Sequence, residues 1–139
     1  MRPDTDSELE AVLDEVSGHL NAQHARLVDA TVAMLANPRW WAGEGVEKPQ
    51  QFLCWRTAIS PERARQIVSI AERAAELPTC MEHFRAGELA IDQMAAIAKR
   101  APWWTDSQMA GLAARLTVSQ LRRLLLDRLP LALDVRPLA

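Results

Sequence analysis

A chain of 139 residues, 49% hydrophobic and 24% charged, is long enough for one domain with a real core and too apolar to be disordered. Its net charge of −2 excludes a polycation of the kind dedicated nucleic-acid binders usually are, so only a local basic face comes into question. Cys54 and Cys80 match no metal or redox spacing, and both are expected to be reduced thiols.

Alanine, leucine and arginine dominate the chain, whereas glycine is sparse and tyrosine absent. These are strong helix formers, and an all-α fold is expected. Met1-Arg2-Pro3-Asp4 runs into acidic sequence rather than an apolar leader, and no stretch approaches the length of a membrane span. A cytoplasmic location is the expectation, with no membrane partner.

Ser7 and Glu10 stand in capping-box spacing at the start of a long helix over about 7–36. Leu9, Leu13, Val16, Leu20, Leu27, Thr31 and Met34 recur along it at steps of three and four, near the seam of a coiled coil. Gly18 weakens its middle by ~1 kcal/mol relative to alanine. Asn37-Pro38 stops it, because proline disfavours helical geometry in the residue before it. So long a stripe needs a cover, either the rest of the domain or a second copy. Leu13, Val16, Leu20 and Leu27 are the candidate interface.

Arg39 to Gln50 reads as a loop carrying Trp40-Trp41, and Gln50 to Ala58 as a short helix. Ser60-Pro61-Glu62 opens the next helix with an N-cap serine, a proline at the first position and an acid at the positive dipole end. Its core stripe is Ala64, Ile67, Val68, Ala71, Ala74 and Ala75. Leu77-Pro78-Thr79 breaks it and starts a short helix from Cys80 to Ala86, closed by Gly87. Ala90 to Arg100 follows, with Leu89, Ile91, Met94, Ala95, Ile97 and Ala98 apolar. After the turn Ala101–Trp104, Thr105 or Asp106 caps a helix to Arg115. Thr117–Gln120 forms a second capping box, opening a helix through Arg128. The C-terminal helices thus occupy about 106–129, and the tail 131–139 is a short strand or an unstructured stub.

The expected architecture is one helical domain over 1–139: a long N-terminal helix packed on a compact multi-helix bundle. The bundle contains a helix-turn-helix-like trihelical unit at about 60–100. Among the tryptophans, Trp40, Trp55 and Trp103 are expected to plug the core. Trp41 and Trp104 are left as contact residues.

The run FLCWRTAISPERAR, then AERAAELP, then FRAGELAIDQMAAIAK, with Arg39-Trp40-Trp41 before it and the Leu116–Leu129 helix after it, resembles the 13E12-repeat family, also called domain of unknown function 222. The resemblance covers roughly Leu9 to Pro130. It implies a helical portion that in many members precedes an HNH endonuclease domain, and an association with mobile or repeated DNA. His19, His24 and His83 are the only histidines and do not cluster as an HNH site requires, so nuclease activity is not carried over.

DNA binding by the unit Ser60–Arg100 would give Gln93 to adenine and Lys99 with Arg100 to phosphate. Glu88 and Asp92 oppose this at the start of the same helix. A second face offers Arg56, Arg63, Gln66 and Arg73, interleaved with Glu62, Glu72 and Glu76, and the residues expected to contact phosphate are Arg56, Arg63, Arg65, Arg73, Lys99 and Arg100. Arg122, Arg123 and Arg128 read as a solvated face compensating a helix dipole. Glu15 and His19 lie one turn apart, but His24 points elsewhere, so no metal site is expected. No nucleophile setting or phosphate loop is present, and neither a cofactor nor a small-molecule substrate is expected. The expectation is a non-catalytic, DNA-associated module, the rival being a homodimerisation scaffold built on the long helix.

Overall fold

Thr5 starts the first helix: its hydroxyl accepts the Glu8 backbone N–H at 3.1 Å. This Thr5–Glu8 pair replaces the expected Ser7–Glu10 pair, and it places Asp6 and Glu8 in the first turn, where the dipole favours acids. The computed structural model describes residues 5–43 and 45–127; Arg128 and the expected tail 131–139 lie outside the described residues. Over that range the elements are α1 (Asp6–Leu35), α2 (Pro38–Trp41), α3 (Pro49–Thr57), α4 (Pro61–Arg73), α5 (Pro78–Arg85), α6 (Ile91–Arg100), α7 (Asp106–Ala113) and α8 (Val118–Asp127). Two 3-10 turns, Ala74–Glu76 and Trp103–Thr105, join α4 to α5 and α6 to α7. No strand occurs among the described residues beyond an isolated bridge between Gly43 and Val46. The fold is all-α, a long first helix on a multi-helix bundle.

α1 packs on α4 and α5, α4 also on α3 and α6, α6 on α8, and α5 on α7. Ile67, Ile70, Leu77, Met81, Phe84, Leu89, Met94, Ile97, Met109 and Leu121 are fully buried where these helices meet. Several starts follow local chemistry. Ser60 Oγ accepts the Arg63 N–H at 3.1 Å, and Pro61 takes the first position of α4. Thr117 and Gln120 exchange reciprocal bonds of 2.9 and 3.2 Å at the head of α8.

α1 buries only its C-terminal half, through Ala25, Val28, Thr31 and Met34. Every residue from Thr5 to Ser17 is exposed. This half of α1 is an arm that leaves the body where α1 meets the α5–α6 turn. There the Glu88 N–H bonds the His83 carbonyl and the Gly87 N–H bonds the Phe84 carbonyl, the paired bonds of a Schellman end. Gly87 sits at φ +83°, and a Cβ on it would lie 2.5 Å from the Gly18 carbonyl oxygen. Asn21 Nδ2 donates to the Gly87 carbonyl at 3.1 Å beside this contact. The turn is therefore pressed against the backbone of α1.

The tryptophans reverse the expectation. Trp55, Trp40 and Trp103 are 74%, 63% and 48% exposed and plug no core. Trp41 is half-buried instead, its indole N–H donating to the Met34 carbonyl at 2.8 Å and so capping the end of α1. Trp104 is half-buried too, edge-on to Trp103. Adjacent residues on a helical turn point in different directions, and in the first pair the indole whose N–H reaches the Met34 carbonyl is the one drawn in. Trp40 and Trp55 flank Phe52 at ring distances of 5.1 and 5.8 Å.

Asp106 is also placed differently from expectation. It is buried in the first turn of α7, and its carboxylate accepts the Thr79 and Cys80 N–H groups at 2.7 and 2.8 Å. It caps α5, a neighbouring helix, whose own N-cap Leu77 has no side chain able to do so.

Two junctions are open to test by substitution. Gly87→Ala must adopt a left-handed backbone, at roughly 1–2 kcal/mol, and also collide with α1; urea unfolding should show a larger loss than that. Gly18→Ala meets open space and should leave stability unchanged or raise it by up to about 1 kcal/mol. Asp106→Ala strands one buried and one half-buried donor and should cost on the order of 2–3 kcal/mol by the same measurement.

Candidate nucleic-acid interface

The basic residues picked from sequence divide into two groups. Arg65 on α4 and Lys99 and Arg100 at the end of α6 line one open groove of about 580 Å³. Arg122 on α8 joins them there. The same groove has an apolar floor of Ala95, Ala96, Leu125 and Leu126, and one acid, Glu62. All four cations are exposed, and none of their side chains has a hydrogen bond or ion pair to another described residue. Arg65 and Lys99 also border an adjoining groove with Gln50, Glu72 and Arg73, so they stand on the ridge between the two.

The other candidates are occupied or lie elsewhere. Arg63 donates to Asp92 at 3.1 Å and to Gln66 at 3.0 Å, joining the heads of α4 and α6. Arg73 donates to the Ala98 and Ala101 carbonyls at 2.7 and 2.6 Å. These are carbonyls at the end of α6, with no partner inside the helix. Gln93 has no amide left for a base: its oxygen accepts the Ala90 N–H at 2.8 Å, and its nitrogen donates to the Ala113 and Leu116 carbonyls. The expected adenine reader is thus a clamp between α6 and the α7–α8 connection. Arg56 is exposed on α3 and lines neither groove.

Arg122 does not stand out in the sequence as a site residue, because its helix, read alone, looks like a solvated face. The signal available is its spacing: Arg122, Leu125 and Leu126 share one side of a helix, cation beside apolar, which is the pattern of a groove wall.

The interface candidates also divide. Leu13, Val16 and Leu20 are exposed on the arm at 67%, 51% and 54%, together with Leu9 and Val12. Leu27 is half-buried against the core, and Trp41 and Trp104 are drawn inward. Asp6, Glu8, Glu10, Asp14 and Glu15 surround the arm's stripe, with no lysine or arginine between residues 6 and 18.

Among the described residues no group of three or more His, Cys, Asp or Glu side chains is arranged to hold a metal ion, and no helix is long and apolar enough to cross a membrane. Burial pushes the Cys80 thiol well above its ordinary range, helped by the Asp106 carboxylate beside it. His24, half-buried on α1, is shifted the opposite way for a base. Burial lowers its pKa and the Arg63 guanidinium lowers it further, against a smaller raising effect of Asp92.

The folded state thus prefers neutral His24, while the unfolded chain protonates it near its ordinary value of about 6.5. The resulting stability is present above that pH and is lost as pH falls through the folded-state pKa. Chemical unfolding at pH 7.5 and 5.5 should show a loss in the native protein that His24→Gln reduces.

Comparison with known proteins adds the lineage. No curated protein and no solved structure matches the chain. The family model described as "Domain of unknown function (DUF222)" matches residues 10–137. That match takes in the arm beyond its first turns, the Gly87 turn and the groove-forming helices α4, α6 and α8, and the chain belongs to the DUF222 family.

Proposed function

We propose that this chain is a non-catalytic binding module that holds the phosphate backbone of duplex DNA in the groove between α4, α6 and α8. One observation carries the reading: Arg65, Lys99, Arg100 and Arg122 converge from three helices on a single groove and have no hydrogen bond or ion pair there to another described residue. Cations gathered in one groove repel one another, and an anionic ligand relieves that repulsion. Phosphate is the natural anion for a row of arginine and lysine, and contacts to it set position rather than sequence.

The end of α6 is ordinarily a poor place for phosphate, because helix C-termini carry partial negative charge. Arg73 offsets this by occupying the Ala98 and Ala101 carbonyls, and Lys99 and Arg100 add positive charge at the same end. Approach is thus through the C-terminal end of α6. A helix-turn-helix mode, led by the N-terminal residues of that helix, would meet Asp92 paired to Arg63 and a fully engaged Gln93. The reading is therefore of backbone binding with little base readout.

A second reading rests on a separate observation, the exposed stripe Leu9, Val12, Leu13, Val16 and Leu20. Apolar side chains at this spacing on a projecting helix suit association with another protein surface.

A duplex-DNA titration at two salt concentrations tests the first reading. Binding should weaken steeply with salt. Arg65→Ala with Arg122→Ala should flatten the salt slope by about one for each phosphate that is no longer neutralised. Arg56→Ala should leave it unchanged. Absence of binding near physiological salt at micromolar protein overturns the reading.

A further inference from the structure

We infer that the occupant of the α1 arm's apolar face is the α4–α6–α8 groove of a second copy of this chain. The inference builds on the reading of the arm as an association element and names its partner surface. Two observations fit each other. The arm is apolar along one face and acidic on the borders of that face: by helical geometry Glu8 and Glu15 lie on one side of the Leu9, Leu13 and Val16 stripe, Asp6 and Glu10 on the other. The groove repeats this pattern with the charge reversed, an apolar floor of Ala95, Ala96, Leu125 and Leu126 rimmed by Arg65, Lys99, Arg100 and Arg122, four cations against the single acid Glu62 among its described lining. Small alanines on the floor admit the close approach of a helix, and Leu125 and Leu126 supply the apolar wall against which leucines seat.

Alternative covers are disfavoured on the same grounds. The arm does not cover itself within one chain, since α1 is a single unbroken helix and residues 5–17 are all exposed. Two arms lying against each other would set acid beside acid along the stripe, because no lysine or arginine occurs from residue 6 to residue 18. Like charges along the borders of a helix pair select against that pairing. Arm in groove turns the same charges into attraction, and faces the four exposed groove cations with carboxylates. Since the groove then holds an acidic helix, self-association and anion binding exclude one another.

Light scattering of the full chain across concentration and salt, with two variants, tests this. The native protein should exceed its 15.5 kDa monomer mass as concentration rises, less so in high salt. Leu13→Glu alone, and Arg65→Glu with Arg122→Glu, should each weaken association by about tenfold or more. All three positions are exposed, so circular dichroism should show an unchanged helix content. Mixing the two variants is decisive. One retains an intact groove and the other an intact arm, so the mixture should form a one-to-one complex that neither forms alone. If the arginine variant associates as the native protein does while Leu13→Glu does not, the arm pairs with another arm; the inference falls while the association reading stands. A protein monomeric at high micromolar concentration overturns both, and does so independently of the outcome with DNA.

Discussion

Helix α6 is clasped at both ends by side chains, and the surface chemistry depends on that clasp. At its head Gln93 reaches the Ala113 and Leu116 carbonyls, fixing α6 to the connection between α7 and α8. At its tail Arg73 on α4 takes the Ala98 and Ala101 carbonyls. The first clasp adds a polar tie to the packing of α8 on α6, and the second adds one to the packing of α4 on α6. Arg65, Arg122 and the Lys99–Arg100 pair belong to these three helices, so their convergence is supported by two hydrogen-bonded side chains that do not themselves line the groove, together with the packing of α6 on α4 and α8. Buried bonds to charged groups are worth more than neutral ones, which makes Arg73 the stronger of the two.

Much of this fold can be read from the sequence because it is written locally. Ser60 with Pro61, Thr117 with Gln120 and Gly87 each act within a few residues, and each stands where the spacing puts it. What escapes such reading acts at a distance. Asp106 looks like a cap for its own helix and caps one that starts near Thr79. Gln93 looks like a free amide near a helix start, and its partners are more than a helix away in sequence. The tryptophans fail for the same reason: Trp41 is drawn inward by a carbonyl at Met34 that no pattern of apolar residues reveals. The α1 stripe shows an intermediate case, since its periodicity is plain but the point at which the body ends, Gly18 against Gly87, is a tertiary fact.

The candidate site is half legible. Arg65, Lys99 and Arg100 can be chosen by charge alone, as can Arg63 and Arg73, and sequence cannot separate cations that face solvent from cations spent on the fold. A net charge of −2 hides the segregation as well. Acids gather on the arm and bases in the groove, so the average says little about either surface. Family membership extends the expectation of a helical module over nearly the whole chain without choosing between these surfaces.

The Asp106 clasp has a consequence for thiol chemistry. Cys80 lies under it, buried, its Sγ donating to the Asp106 carbonyl at 3.4 Å, and its protonated form is favoured. Thiolate is the reactive species, so this sulfur is silent toward alkylating reagents while α5 and α7 remain joined. Cys54 is only partly covered and open to reagent from solvent. The two cysteines thus form a built-in clock: the lag between the first and second modification measures how often that corner of the molecule comes apart.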